Sequence, residues 1–281
     1  MANTGEDKWT VTEDAYHPPT ELHTDRPHAA RMYDYLLGGK DNYAADREAA
    51  EKAVASFPTL RTAARENRNF LGRVVRHLVR ETPIRQFLDI GSGLPTAENV
   101  HQVAQRDDPD ARVVYVDNDP IVLAHGRALL AENDRTTVIQ ADARTPDRII
   151  EHCRANELID FTRPVAVLAV ALLHFVPDAE NPSGIIDTLR ESVPPDSHIV
   201  LSHATADISP ETALGVQATY QAQGVPLTLR SRSEFEKFFA GLEIVDPGIQ
   251  VITDWRSDVP PHARPPHADV SWYGGLGRLT G

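Results

Sequence analysis

The sequence predicts an α/β domain with a mostly parallel sheet, preceded by a helical segment, and two patterns carry that prediction. From Arg85 onward, short β-branched or aliphatic runs alternate with amphipathic segments, as in successive βαβ units. Before it, apolar residues recur at helical spacing: Met32, Leu36 and Leu37 in one stretch, then Phe70, Leu71, Val74, Val75 and Leu78. Gly38 and Gly39 break the first stretch, and Pro83, lacking an N–H, closes the second. Two or three helices are expected there.

Strands are expected at 86–90, 112–116, 137–140, 165–170, 198–202, 242–245 and roughly 271–274. Asp119-Pro120 and Asn181-Pro182 each set a capping side chain before a proline at the first helical position. Ser231 with Glu234, or Ser233 with Glu236, fits a capping box ahead of Phe235, Phe238 and Phe239. PPHARPPH near the end reads as a surface loop. The domain plan is a mobile tail over 1–26, a helical cap over 27–82 and a core over 83–281.

The chain has 281 residues, 41% hydrophobic and 25% charged, which excludes a mainly disordered, collagenous or membrane-embedded protein. Its most apolar run, 165–176, is about a dozen residues long and interrupted by His174, short of the ~20 a membrane span needs. The first residues show neither signal-peptide nor transit-peptide character, so a cytoplasmic setting is expected. A net charge of −13 opposes a polyanionic partner and directs the search away from nucleic acid toward a small molecule. Cys153, the single cysteine, excludes an intramolecular disulfide and a Cys-based zinc site, and in its Arg/Glu-rich helical stretch it reads as a bystander. The histidines show no metal-ligand spacing, and no metal site is expected.

Three strand ends carry the chemistry. Phe87-Leu88-Asp89-Ile90 runs into Gly91-Ser92-Gly93, a turn whose glycines leave room for a ligand against the backbone. A dinucleotide fingerprint would have a third glycine where Thr96 stands, which weakens a nicotinamide reading. The second strand ends in Asp117-Asn118-Asp119, and a carboxylate at that tip accepts from ribose hydroxyls. Asp117 is read as that ligand contact, and Asp119 as helix cap before ligand. The third strand ends in Ala141-Asp142-Ala143, where Asp142 is either a turn residue or a partner for an adenine amino group.

With these motifs in place, DIGSG, VDND, QADA and LLHFVPD resemble the successive motifs of class I S-adenosylmethionine-dependent methyltransferases. RMYDYLLGGKDNYAADREAA, ENRNFL, LSHATAD and the terminal YGGLGR resemble, more narrowly, an actinobacterial S-adenosyl methyltransferase family once known only as a domain of unknown function. The resemblance runs from about Pro27 to Arg278. It implies a Rossmann-like sheet of seven strands, the last antiparallel, with an N-terminal helical lid and S-adenosylmethionine across the ends of strands one to four. Carried over by position, Gly91, Ser92 and Gly93 face the methionine part, with Asp89 acting through bound water or on the cofactor's amino group. Asp117 holds the ribose, Asn118 flanks the adenine, Asp142 and Ala143 read its edge, and Ala169 with Val170 lies near the sulfonium. Tyr33 reaches the cofactor from the lid, where Asp34, Gly38, Gly39, Lys40 and Asn42 surround the Gly-Gly break, a site contact or simply a helix end.

Methyl transfer needs alignment of donor and acceptor rather than a metal or covalent nucleophile. A hydroxyl acceptor gains from a general base, and His174 and His203, after strands four and five, are the candidates, each with a buried structural histidine as its alternative. The segment 207–230 puts Thr212, Gln217, Tyr220 and Gln221 beside the acceptor, or forms an exposed amphipathic helix. The function expected is methyl transfer to a small-molecule acceptor; the alternatives are a non-catalytic sensor of the same cofactor and, more remotely, an NAD-dependent oxidoreductase.

Overall fold

The computed structural model describes residues 22–96, 98–129 and 134–281, so most of the tail expected at 1–26 lies outside the described residues. Three helices open the described chain: α1 (Ala29–Leu36), α2 (Ala44–Ser56) and α3 (Leu60–Glu81). Then strands and helices alternate: β1 (Gln86–Ile90), α4 (Val100–Asp107), β2 (Arg112–Asp117), α5 (Pro120–Leu129), β3 (Thr136–Gln140), α6 (Pro146–Ala155), β4 (Ala166–Val170), α7 (Pro182–Glu191) and β5 (His198–Ala204). The chain finishes with α8 (Pro210–Ala222), α9 (Arg232–Glu236), β6 (Glu243–Ile244), β7 (Gln250–Val251) and β8 (Trp272–Arg278).

The strands form one sheet in the order β3-β2-β1-β4-β5-β8-β6, with β7 also paired to β8. β1 to β5 are parallel, and β8 runs antiparallel to β5. The sheet has the seven positions expected, and among the described residues eight strands are counted because the edge partner of β8 comes in two pieces. Glu243–Ile244 faces Arg278 and Gly277, and Gln250–Val251 faces Gly274 and Tyr273, with Asp246-Pro247-Gly248 between them. Proline has no N–H for the ladder, and Gly248 turns at φ +84°.

β8 extends well past the 271–274 expected of it. Gly274, Gly275 and Gly277 disfavour a strand by propensity, yet tertiary packing requires them. A Cβ on Gly274 would lie 2.7 Å from Phe70 Cζ and 2.8 Å from Ile252 Cγ2, and one on Gly277 would lie 2.8 Å from Leu242 Cδ1. Large side chains sit flush against this strand because it presents none of its own.

Successive residues of the central strands point to opposite faces. On one face Phe87, Val113, Tyr115, Leu168 and Val200 meet Phe70, Leu71, Val74, Val75 and Leu78 of α3. On the other, Leu88, Val114, Val167, Ile199 and Leu201 meet α6, α7 and Phe235, Phe238 and Phe239. Cys153 is fully buried there, and burial pushes its thiol up to about 12, an unreactive setting. The boundary drawn at 82/83 follows a helix whose apolar face belongs to the sheet's own core. A separate cluster joins α1, α2 and the start of α3 to α8 through Met32, Leu36, Phe57 and Leu60 against Val216 and Tyr220. The helical cap and the 207–230 segment thus make one lobe, packed against each other.

The local signals resolve as follows. Asp119 Oδ1 accepts from Ile121 N at 2.9 Å and caps α5. Asn181 accepts from Gly184 N and caps α7, and the capping box of α9 is Ser231 with Glu234. The Gly-Gly break ends α1: Gly39 N donates to Asp34 O, and the Asp34 carboxylate accepts from Asn42 Nδ2 at 2.7 Å and Asp41 N at 3.1 Å. A Cβ on Gly39 would fall 1.9 Å from Asp34 Oδ1, which explains that glycine by close approach.

Two glycine substitutions with opposite signs test this packing. Gly274→Ala overpacks the core and is expected to destabilise by about 1–3 kcal/mol. Gly72→Ala, whose added Cβ meets nothing nearer than Arg76 Nη2 at 3.7 Å inside α3, is expected to stabilise by about 0.5–1 kcal/mol. Denaturant unfolding of both variants checks the signs.

Candidate active site

Strand order reverses between β1 and β4, and a crevice opens at the carboxyl ends of the strands flanking such a switch point. Here it holds about 240 Å³, lined by the turns after β1, β2, β3 and β4 and covered by α1 and α3. Tyr33, Asp89, Gly91, Ser92, Gly93, Asp117, Asn118, Asp142 and Ala143 all line it. Ala169 is buried in the sheet's core, and at its level the lining comes from Val170 and Ala171. Asp34, Gly38, Gly39, Lys40 and Asn42 are not among the lining residues.

The turn after β1 is fixed by β2. Gly91 N and Ser92 N both donate to Val116 O, at 2.8 and 3.1 Å, and Gly93 N donates to Asp117 Oδ2 at 2.8 Å. Asp117 Oδ1 accepts from Asp119 N at 3.0 Å, so each carboxylate oxygen keeps one lone pair for a ligand. Gly91 and Gly93 have φ of +72° and +66°, and a Cβ on Gly93 would project into open space. The Ser92 Oγ is buried without a hydrogen-bond partner. Asp142 Oδ1 accepts from Arg144 N at 2.9 Å, and Gln140 Nε2 reaches Asn118 O at 3.3 Å.

Asp89 sits at the floor, 4% exposed, and burial pushes its carboxyl up to about 7 despite the opposing field of Arg68. Burial likewise raises Asp117, although the Asp119 and Gly93 N–H groups work against that. A desolvated carboxylate facing a cleft is matched by a cationic ligand group. A hydrogen-bonded chain ties cover to floor: Tyr33 Oη donates to Ala64 O, Asn67 Nδ2 donates to Tyr33 Oη at 3.0 Å, and Ser202 Oγ donates to Asn67 Oδ1 at 2.6 Å. Ala171 N closes it by donating to Ser202 Oγ at 2.9 Å.

The two histidines have different surroundings. His203 has Nδ1 at 2.7 Å from Ala204 O and Nε2 at 2.8 Å from Arg230 Nη1, so both nitrogens are engaged and burial depresses its pKa to about 3. That leaves it no lone pair for a ligand's proton. Arg230 also donates to Leu173 O, Val176 O and Asp178, pinning the segment after β4. His174 is 2% exposed and lines a second, adjoining chamber; its Nδ1 has no partner, and burial, then His203 and Arg230, hold its pKa well below the usual value. Tyr220 lines that chamber too, whereas Gln217 and Gln221 donate to Leu227 O and Thr212 is absent from the lining.

Asn67 and Arg68 were missed at the sequence level, although ENRNFL was noted. The available signal was Asn67 falling on the buried stripe of α3 with Ala63, Phe70 and Val74, a polar residue where the period demands an apolar one. His28, Arg144 and Pro226, which also line the cleft, carried no such signal. Among the described residues no group of three or more His, Cys, Asp or Glu is placed to hold a metal ion, and no helix is long and apolar enough to cross a membrane.

Because the Asp89 carboxyl is raised from 3.8 to about 7, the free protein loses stability as pH rises through that window. Asp89→Asn removes the penalty. Its melting-temperature gain over the parent is expected to be larger at pH 8 than at pH 5, by at least about 2 °C, and an equal gain at both values contradicts the assignment.

Comparisons with known proteins place the chain in a family. Residues 15–280 match the family model described as S-adenosyl methyltransferase. A DUF574 family protein from Streptomyces avermitilis is 41% identical over 92% of this chain and 99% of its own, with a TM-score of 0.88. A protein from Thermobifida fusca, provisionally assigned as a methyltransferase, is 39% identical over 95% of this chain and 100% of its own, with a TM-score of 0.87. No curated protein matches the chain. The chain belongs to the S-adenosyl methyltransferase family, and with it to the S-adenosylmethionine-dependent methyltransferases.

Proposed function

We propose that the cleft holds S-adenosylmethionine and that the chain transfers its methyl group to a small-molecule acceptor seated beneath the helical lobe. The observation that carries this is the juxtaposition at the ends of β1 and β2: the Asp117 carboxylate bound to Gly93 N–H, open space over Gly93 and the unpartnered Ser92 Oγ, all facing one cleft.

Each part of the cofactor has a counterpart in the lining. Asp117 takes the ribose hydroxyls, Asn118 flanks the adenine, and Asp142 with Ala143 N–H reads its edge. Asp89 pairs with the amino group and Arg68 with the carboxylate, which gives a purpose to a carboxyl buried at the cleft floor. When bound, the cofactor supplies an electrophilic methyl group. The protein supplies alignment and water exclusion, the latter through Pro27, His28, Ala30 and Tyr33 over the cleft. The net charge of −13 supports a small-molecule acceptor over a nucleic acid, and the cytoplasmic setting expected from the sequence accompanies it.

Calorimetric titration tests this. S-adenosylmethionine and S-adenosylhomocysteine are expected to bind, NAD not to, and Asp117→Ala to weaken both by about 10- to 100-fold, the worth of hydrogen bonds to a charged group. Binding of NAD alone, or full affinity in Asp117→Ala, contradicts the proposal. Pairing Asp89 with an ammonium also requires its proton to leave, so S-adenosylhomocysteine affinity is expected to rise about tenfold from pH 6 to pH 8. Asp89→Asn should flatten that dependence.

A further inference from the structure

Beside the cleft, sharing Ala29, Tyr33 and Phe175 with it, lies the second chamber, with about 50 Å³ of room. Its sheet side is the continuation of the same edge: His174 follows β4, Ala204 ends β5, Ser271 precedes β8 and Trp272 begins it, and the antiparallel register brings Trp272 opposite Ala204. Its other walls come from the helical lobe, among them Leu36, Phe57, Leu60, Val216 and Tyr220. Among the described residues, no acidic or basic side chain lines it apart from His174.

Two of the residues that line it carry an unengaged polar atom. His174 Nδ1 and Ser271 Oγ are buried without a hydrogen-bond partner, on residues each 2% exposed. Leaving such an atom unsatisfied costs about 1–3 kcal/mol, which a hydroxyl-bearing ligand or an ordered water recovers by completing it. Ser271 also sits at φ +52°, a conformation that a non-glycine residue adopts at a cost and that recurs at binding sites. By contrast two other polar groups of the wall are engaged: Tyr33 Oη with Ala64 O and Asn67, and Thr205 Oγ1 with Asp207 N.

We infer that this chamber is the acceptor site and that it selects an uncharged, aromatic or strongly apolar molecule bearing a hydroxyl group, which donates its hydrogen bond to His174 with Ser271 beside it. The assignment of the chamber as an acceptor site rests on the proposed methyl transfer; its ligand class rests on the walls alone. A charged acceptor would enter without a counter-ion and bear the full desolvation cost. Phe57, Phe175, Tyr220 and Trp272 supply ring faces for an aromatic occupant. His174, kept neutral by burial, has an imidazole that takes a hydrogen bond rather than a positive charge that repels the sulfonium side. A benzene ring needs a cavity of ~150 Å³, three times the room present, so a ring-sized occupant displaces walls. Those free to shift belong to the lobe, since the sheet side is held by strand pairing.

The test is ligand-observed NMR on the full chain with saturating S-adenosylhomocysteine, using phenol, toluene and benzoate. Phenol is expected to bind at least tenfold more tightly than toluene, and benzoate not to bind. His174→Phe should reduce phenol to the affinity of toluene. Val216→Trp, which fills the chamber from α8, should abolish phenol binding while S-adenosylhomocysteine binds within twofold of the parent, which also shows that the variant is folded. Equal binding of benzoate, or phenol binding unchanged in Val216→Trp and His174→Phe, overturns the inference. Failure of S-adenosylhomocysteine to bind the parent overturns the proposed function instead, and phenol titration of the free protein then still decides the chamber's ligand class.

Discussion

The carbonyl of Val116 receives two N–H groups from the turn after β1, and the next residue, Asp117, receives a third through its carboxylate. The site depends on this attachment. Without it a Gly-Ser-Gly turn is conformationally loose, and the glycines that leave space for a ligand would as readily collapse into it. Hung on the end of β2, the turn has one shape, and the carboxylate that fixes it is the same group that faces the cleft. The parallel register of β1 on β2 is therefore a condition of binding as well as of folding, because a shift of one residue would carry Asp117 to the opposite face of the sheet.

A second layer of constraint holds the remaining wall. Arg230 donates to carbonyls at Leu173 and Val176, to Asp178 and to His203, and so fastens the stretch after β4 against β5. His203 is thereby committed to structure, whereas its neighbour His174, 5.4 Å away ring to ring, lines the chamber and keeps one ring nitrogen unengaged. The Tyr33–Asn67–Ser202–Ala171 chain of hydrogen bonds does the corresponding work between lobe and sheet. It runs from the cover of the cleft to Ala171, at φ +58°, so the lobe and the backbone after β4 are mechanically joined.

Most of the sheet was legible because parallel strands buried on both faces read as continuous apolar runs. Gly91, Gly93 and Asp117 were legible because a tight turn and a carboxylate at consecutive strand ends have few other uses in this order. β8 was under-read because its glycines argue locally against a strand, while Phe70, Ile252 and Leu242, distant in sequence, demand them. Asp119 was legible as a cap because Pro120 follows it, and it caps α5, whereas Asp142 could not be separated from a turn residue by sequence, since one carboxylate serves either purpose. The different fates of His174 and His203 were equally hidden, since they follow from an arginine 27 residues beyond the second of them. The joining of the N-terminal helices to α8 left no local mark, because each surface is apolar without naming its partner.

The most direct test of this account is a crystal structure with S-adenosylhomocysteine bound. The predicted result places the ribose hydroxyls within hydrogen-bond distance of Asp117, the adenine between Asn118 and Asp142, and the amino and carboxylate groups at Asp89 and Arg68, with the sulfur directed toward the chamber that His174 lines. A ligand bound elsewhere, or one lying in the cleft with its ribose away from Asp117, would contradict it.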